Sequence, residues 1–417
     1  MAAEPAAHFA IPNLIFQNRT PLDAAQFDTV DQHGTAFHVI VAKAAYLLGA
    51  RDAHGVATLT PVPGAKLHVE DNYFDDDPQG SVCHESDFAS YKPACDVIVN
   101  ATAYVPLGKP APGFQVRLTV YNAQHVPVID KILGIGGACH FQRKTQWVGQ
   151  LVNANPWRLS PASAATNLPL RYAFATGGQC RIDEGPAAAH ASSDANPCGR
   201  GFVRRWYLDA TGLTAFAAPQ IHARGAPLTA EQFWQGANGA ALPAPVGLGS
   251  VGRGWLPRRT LAGTFEDKAV WDKDEVPRLP YDFDFAWYNC APRDQQCPHL
   301  GGQEKFVLFN LCSADHPSAT VDAKSHTVLR FALPRHQLFL IATDGDSKVW
   351  IERMVIDTVT ITPDEHRVDL VWRMLLAADV DFRTVRMTQL LEDAQIARLD
   401  ELLHAQAVIS EGAVHDQ

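Results

Sequence analysis

The feature that most constrains this chain is a two-residue period of apolar side chains, carried by short segments that end in turn residues. In "GFQVRLTVYN" (113–122), Phe114, Val116, Leu118 and Val120 alternate with Gln115, Arg117, Thr119 and Tyr121. Successive side chains of a strand point to opposite faces, so this segment is expected as a strand with one buried and one wet face. "CDVIVNATAYVP" (95–106) places Val97, Val99, Ala101 and Ala103 at the same spacing. "GTAFHVIVAKAAYLL" (34–48) is long, apolar and partly β-branched. The turn residues Asp52, His54 and Gly55 follow it, then "VATLTPV", which reads as a strand, a turn and a returning strand. The stretch 336–356 repeats the scheme around Asp344, Gly345 and Asp346, and 357–374 around Pro363, Asp364 and Glu365. Each is expected as a β-hairpin.

Helix signals are fewer. Thr229 with Gln232 forms a capping-box pattern ahead of a short helix at 229–236, and a second short helix is expected near 265–272. The tail "TQLLEDAQIARLDELLHAQ" (388–406) reads as one long helix. Leu391, Ala394, Leu399 and Leu402 would face the core, with Glu392, Arg398 and Glu401 elsewhere. "RIDEGPAAAHASSDANPCGRG" (181–201) has no apolar period and is expected to be a flexible excursion.

With 417 residues the chain exceeds what one hydrophobic core usually holds, roughly 250–300 residues. The expected architecture is therefore mainly β, with two packed β-rich, sandwich-like lobes, irregular loops and a C-terminal helix. The first lobe covers 1–155, the loop-rich and hairpin lobe 156–386, and the helix and tail 387–417.

The charge balance excludes some functions. Thirty-five basic against forty-five acidic residues give a net charge of −10. Nucleic-acid binding needs a basic stripe to neutralise phosphates, and the nearest candidate, Arg253, Arg258 and Arg259, is too small for that. The N-terminal "MAAEPAAHFAIPN" lacks Lys, Arg and an apolar core, so no secretory signal is expected there. The longest apolar run, "VIVAKAAYLLGA" (39–50), is broken by Lys43 and is too short to span a bilayer. A soluble cytoplasmic protein is expected, with its eight cysteines reduced and mostly acting as small buried hydrophobes.

Several motifs suggest chemistry and are open to plainer readings. Gly247, Gly249 and Gly252 match G-x-G-x-x-G, but prolines flank the motif where a dinucleotide site needs a strand and a helix. A turn or close backbone contact is the expected role, as it is for Gly134, Gly136 and Gly137. Cys290, Cys297 and His299 form the best metal cluster, and Cys83, His84 and Glu85 a second, yet neither contains the tight cysteine pair usual in zinc knuckles. The close pair His33 and His38 has no cysteine nearby. Ser250 misses the spacing of a hydrolase elbow. Cys290 has no histidine near it in sequence before His299, so a nucleophile there would need a base from elsewhere in the fold. Asp75, Asp76 and Asp77 lack the alternating spacing of a calcium loop and read as a solvated turn.

The densest polar stretch is "WYNCAPRDQQCP" (287–298). Asn289 and Asp294 are expected to set turns by bonding their own downstream amides. Gln295 and Gln296 are expected to satisfy irregular backbone. Trp287, with Phe283 and Phe285, would anchor the loop.

Read in order, several stretches resemble one family. They are "SDFASYKPACDVIVNATAYVP" (86–106), "RYAFATGG" (171–178), "NPCGRGF" (196–202), "GSVGRGWLPRRTLAGTFED" (249–267), "DFDFAWYNCAPRDQQ" (282–296), "LGGQEKFVLFNL" (300–311) and "DTVTITPDEHRVDLVWR" (357–373). These are similar to the accessory proteins encoded beside VgrG spike genes and PAAR-like effector genes in type VI secretion clusters. The resemblance implies a cytoplasmic adaptor or chaperone, not an enzyme. Such a protein binds the PAAR-like domain of a toxin, helps to load it on the VgrG tip, and needs no cofactor or metal; whether VgrG itself is touched stays open. Cys95, Cys198, Cys290 and Cys297 stand where the family pattern has mostly other residues, which argues against a shared catalytic cysteine.

The residues expected in a partner-binding or structural loop are Asn289, Ala291, Pro292, Asp294, Gln295 and Gln296, with Arg253, Trp255, Tyr91, Lys92 and Pro93. Strand addition at a sheet edge and a loop platform around 289–296 are the two physical modes of binding. An enzyme, hydrolytic or metal-dependent, acting at 287–299 is the alternative. A carbohydrate-binding β-module, suggested only by the nine tryptophans, ranks last because such aromatics are more often core.

Overall fold

The computed structural model describes residues 11, 13–106, 109–144, 155–185, 188–265, 267 and 276–390. Among them the chain is mainly β, as the alternation indicates. Its backbone is a thirteen-stranded sheet that runs in order through Ile221–Ala223, Pro127–Gly136, Gly113–Tyr121, Lys305–Phe309, Thr327–Ala332, Ala57–Val62, Ala36–Arg51, Arg367–Ala377, Val355–Thr362, Cys95–Val99 and Gln296–Cys297. Asp23–Val30 and Ala319–Val321 add to it at the sides. Strands from early and late sequence thus interleave in one sheet. Ala36–Arg51 pairs with Arg367–Ala377 from Leu47↔Arg367 to Phe37↔Ala377.

The hairpins form where the turn residues lie. Asp52 Oδ1 accepts hydrogen bonds from the amides of His54 (2.8 Å) and Val56 (2.9 Å), and Gly55 takes a φ of 75°. Such side-chain-to-backbone bonds stand in for the turn's own ladder. Pro363–Glu365 makes a 3₁₀ turn between Val355–Thr362 and Arg367–Ala377, and Gln337–Asp344 returns as Val349–Arg353. The capping box at Thr229 and Gln232 starts the helix Ala230–Ala237.

Residues in register across a sheet share a face. One row runs Ala44, Leu370, Val359, Val97 and the next Tyr46, Val368, Ile361, Val99. All are buried and belong to the main apolar core. A second sheet, Ile15–Asn18, Phe382–Leu390, Gln337–Asp344 and Val349–Arg353, contributes Leu338, Leu340, Val385 and Met387 to that core. A smaller core gathers Phe141, Trp157, Phe233 and Leu208 from the middle of the chain, with Phe141 and Phe233 stacked at 4.2 Å.

The opposite face of the main sheet is buried but charged. Its central row reads Lys43, Val371, Thr358, Asp96. A bulge between Ile356 and Thr358 lets Asp357 join this side. Every charge named here has a partner: Lys43 donates to Asp87 (2.9 Å), Lys92 to Asp96 (2.8 Å) and Arg373 to Asp357 (2.5 Å). Arg373 also donates to the carbonyls of Ala89 (2.6 Å) and Asp87 (2.9 Å), which ties the covering segment around 87–94 to the sheet. This explains a departure from the expected pattern. Cys95–Val99 is buried at all five positions, because a covered polar face leaves no wet side.

Two expectations fail on described residues. The 181–201 stretch is ordered rather than flexible, since Gln179–Ile182 and Ala189–Ser192 pair as a hairpin. Asn196, fully buried, donates to the carbonyls of Tyr172 (2.8 Å) and Thr176 (3.0 Å). Polar side chains there do the ordering that an apolar period would do elsewhere. The long C-terminal helix does not begin at 388, because Thr388, Gln389 and Leu390 complete the strand Phe382–Leu390; its remainder lies outside the described residues. Most of the helix expected near 265–272 lies outside them too, although a 3₁₀ turn, Arg258–Ala262, precedes it.

Removing one member of a buried ion pair strands the other, at a cost of about 3–5 kcal/mol. Arg373→Leu leaves Asp357 with only the Thr358 hydroxyl (2.9 Å) against its buried charge and leaves the Ala89 and Asp87 carbonyls without that donor. It is expected to lower stability by about that much in urea unfolding. Arg117→Leu, which opens the half-exposed pair with Asp130, is expected to cost under about 1 kcal/mol. Equal costs would contradict the assignment of the charged face.

Candidate functional site

The 289–296 loop is built on one carboxylate. Asp96 is fully buried in a strand that is otherwise apolar. Its Oδ1 accepts from Asn289 Nδ2 (3.0 Å) and the Ala291 amide (3.1 Å). Its Oδ2 accepts from Lys92 Nζ (2.8 Å) and the Cys290 amide (3.0 Å). Burial alone would push the Lys92 ammonium down, but Asp96 overrides it and holds Lys92 above its usual range. Lys92 also donates to Thr358 Oγ1 (2.9 Å).

The remaining polar groups of the loop finish the backbone accounting. Gln295, fully buried, donates to the carbonyls of Val97 (2.8 Å) and Leu248 (2.9 Å), and so continues the ladder that Gln296–Cys297 begins beside Cys95–Val99. Gln296 donates to the Ala291 carbonyl (2.8 Å). Asp294 pairs with Lys131 (2.6 Å) on the strand Pro127–Gly136. The glutamines act as expected, whereas Asn289 and Asp294 do not set turns: Asn289 reaches across to Ala94 O (2.7 Å) and Asp96, and Asp294 reaches to Lys131. The side chain that does cap a local turn is Asp284, which accepts from the Ala286 amide (2.8 Å).

A second support comes from Arg258, which grips the Glu85 carboxylate with both terminal nitrogens and donates to the carbonyls of Trp287 (2.6 Å) and Val251 (2.7 Å). Arg253 pairs with Asp71 (2.6 Å) and lies 5.5 Å from the Trp287 ring centroid. Trp255 packs edge-on against Tyr172 at 5.4 Å. Tyr91 is exposed and meets Phe285 at 5.8 Å, and Pro93 is exposed nearby.

Between the stretches 251–261 and 286–296 lies a pocket of ≈ 260 Å³. Val251, Leu256, Leu261, Ala286, Ala291 and Pro292 give it apolar walls, and Asn289, Arg293 and Gln296 also line it. Asn289 is 3% exposed, and its Oδ1 has no hydrogen-bond partner. A buried acceptor left in that state costs about 1–3 kcal/mol. The residues named from sequence therefore divide by role. Asn289, Ala291, Pro292 and Gln296 line the pocket; Lys92, Asp294 and Gln295 hold the loop; Arg253, Trp255, Tyr91 and Pro93 lie outside its walls.

The arrangement does not activate a cysteine. Cys290 is 2% exposed with Sγ 3.6 Å from Asp96 Oδ2, and burial, then the Asp96 charge, push its thiol well above the ordinary range. Cys297 faces Cys95 across the strand pair, and burial raises Cys95 likewise. His299 bonds the Lys92 carbonyl through Nε2 (2.8 Å). Among the described residues no three His, Cys, Asp or Glu side chains are grouped to hold a metal ion. In the second cluster, Glu85 is taken by Arg258, burial pushes Cys83 up to about 11, and His84 stacks on His68 at 4.7 Å. His38 bonds Asp28 (2.7 Å), and Asp75 pairs with Arg171 in an exposed turn. Gly247 and Gly252 sit where a Cβ would come within 2.9 Å of the Tyr172 ring and 2.8 Å of the Trp255 ring, with no strand or helix around them. Close packing, not phosphate binding, accounts for these glycines.

Asp96 was not singled out from sequence, and Glu85 and Arg258 were weighed there only as a metal ligand and as part of a small basic patch, not as each other's partner. A lone Asp inside "CDVIV", four residues after a Lys, was the available signal, since a charge in a buried strand must find a partner.

His84 adds a pH dependence. Burial, then His68 and Lys43, push it down from 6.5 to about 4, against the pull of Asp369 and Asp87. Between those values the unfolded chain binds the proton and the folded chain does not, so stability falls as pH drops from about 6.5 to about 4. Allowing for partial exposure, His84 is expected to contribute about 2 kcal/mol to that fall. Urea midpoints measured across this range should decline less steeply for His84→Gln than for the unmodified chain. Parallel declines would remove His84 as the cause.

No curated protein and no solved structure matches the chain. One family profile does, over residues 33–373, a span that holds Asp96, its loop and the pocket walls. The chain belongs to the family described as an uncharacterized protein conserved in bacteria, DUF2169.

Proposed function

We propose that this chain is an adaptor that binds the PAAR-like domain of a type VI secretion effector and assists its loading on the VgrG spike. The observation that carries the reading is the apolar pocket. Both of its main walls, 251–261 and 286–296, come from stretches that resemble the type VI accessory proteins, and both are fixed from below by buried ionic contacts. A rigid apolar recess suits a partner's anchor residue, because the site gives up little freedom on binding. It favours the loop platform over strand addition as the mode of contact.

A PAAR-like domain awaiting assembly has an apolar spike-facing surface to protect. Covering it would suppress aggregation in the cytoplasm. The spike would release the effector by competing for the same surface. A stable complex of this kind is expected to bury about 1,200–2,000 Å². The enzyme alternative, hydrolytic or metal-dependent, at 287–299 would need Cys290, Cys297 or His299 to act, and the carboxylate beside Cys290 opposes ionisation of that thiol.

Co-expression with the PAAR-like domain encoded next to this gene tests the proposal. The expected outcome is a complex that survives gel filtration and higher soluble levels of the effector. A purified pair that elutes separately, with effector levels unchanged when this chain is deleted, would defeat the adaptor reading. Cys290→Ser and Cys297→Ser are expected to leave complex formation and secretion intact. Loss of secretion with the complex retained would favour the enzyme.

A further inference from the structure

We infer that the ≈ 260 Å³ pocket is a socket for one bulky apolar side chain of a partner's extended segment, with a carboxylate beside that side chain read by Arg293. The identity of the partner rests on the adaptor reading, while the chemistry of the socket is read from its own walls.

Size comes first. Sites for drug-sized ligands and cofactors usually enclose roughly 300–1,000 Å³, so this pocket falls below them and matches the anchor residues of protein interfaces. The walls of Val251, Leu256, Leu261, Ala286 and Pro292 offer apolar contact to whatever enters.

The second feature is an acceptor held ready. Asn289 spends its Nδ2 on Ala94 O and Asp96 Oδ1, and both are acceptors, so the amide cannot be turned round. Its Oδ1 is thereby fixed away from them, at a residue that lines the pocket, with no partner of its own. The oxygen is covered as the walls stand, so a backbone N–H entering beside an anchor side chain would complete it as the wall yields. This favours an extended segment over a compact apolar molecule.

The third feature is charge. Most cations close to the loop are committed: Arg258 to Glu85, Lys131 to Asp294, Lys92 to Asp96 and Arg253 to Asp71. Arg293 is exposed, lines the pocket, and has no side-chain hydrogen bond or ion pair among the described residues. The acid next to it in sequence, Asp294, is already engaged by Lys131. An incoming carboxylate would meet Arg293 unopposed. In a chain of net charge −10, an uncommitted guanidinium at an apolar recess selects an acidic neighbour for the anchor.

The test uses the full chain and the blocked dipeptide N-acetyl-leucyl-aspartyl-amide as probe, with saturation transfer read on the N-acetyl methyl, which every probe carries. Transfer is expected for this probe and its loss when Ser replaces Leu. Replacing Asp by Asn, or Arg293→Glu in the protein, is expected to weaken binding about three-fold, the scale of one exposed ion pair. Ala244 lines the same pocket from an exposed position, so Ala244→Trp can narrow the pocket without entering the core, and should abolish transfer. Transfer that persists in Ala244→Trp, or that ignores the acid, overturns the socket. The two readings separate cleanly. If Ala244→Trp binds the PAAR-like domain as well as the unmodified chain, the socket fails and the adaptor stands. If the dipeptide binds as described and the PAAR-like domain does not, the adaptor fails and the socket stands.

Discussion

The Asp96 carboxylate is the contact on which the loop and pocket depend. It brings together Lys92, Asn289 and the amides of Cys290 and Ala291, from two segments about two hundred residues apart in sequence. Taking a carboxylate and an ammonium out of water costs several kcal/mol per ion, so the pair with Lys92 adds little net stability over a well-packed apolar pair. Its effect is positional. An apolar contact would tolerate sliding, whereas four donors aimed at two oxygens fix the height and angle of the loop above the sheet. Arg373 and Lys43 do the same for the segment around 87–94, so the whole charged face acts as a set of locating pins for its cover.

The division of the sheet into an apolar and a charged face has a further consequence. On the apolar side, Tyr46, Leu370 and Trp372 share a core with Leu338, Leu340, Val385 and Met387 of a second hydrogen-bonded sheet. On the charged side the cover is mostly irregular chain, and its backbone must find partners one group at a time. Gln295 supplies two such contacts, Arg258 two and Arg373 two. Side chains replace a sheet as the source of order. An irregular cover held in this way can carry a shaped recess that a flat sheet cannot.

Much of the apolar side was legible in the sequence. The period of Val116, Leu118 and Val120 and the turn chemistry of Asp52 and Gly55 are local signals, and the structure follows them. The charged side was not legible in the same way, because a strand buried on both faces loses its alternation, as Cys95–Val99 shows. Asn289 and Asp294 look like turn formers by residue type, yet their partners, Asp96 and Lys131, are distant in sequence and could not be named from it. The 181–201 stretch failed for a related reason. It is ordered by Asn196 and a short hairpin, not by a hydrophobic stripe.

The span that defines the family is narrower than the unit that folds. The match ends at residue 373, within the strand Arg367–Ala377, whose last four residues still pair with Ile40, Val39, His38 and Phe37. Beyond it, Phe382–Leu390 occupies an interior position in the second sheet, between Ile15–Asn18 and Gln337–Asp344. Val385 and Met387 from that strand are fully buried in the main core beside Leu338 and Leu340. Without it, Gln337–Asp344 would lose its ladder on one edge and the core an apolar wall. The charged face and its loop lie wholly inside the match, while the apolar face needs chain from outside it. The match therefore spans the face that carries the pocket, while part of the second sheet that lines the opposite face lies beyond it.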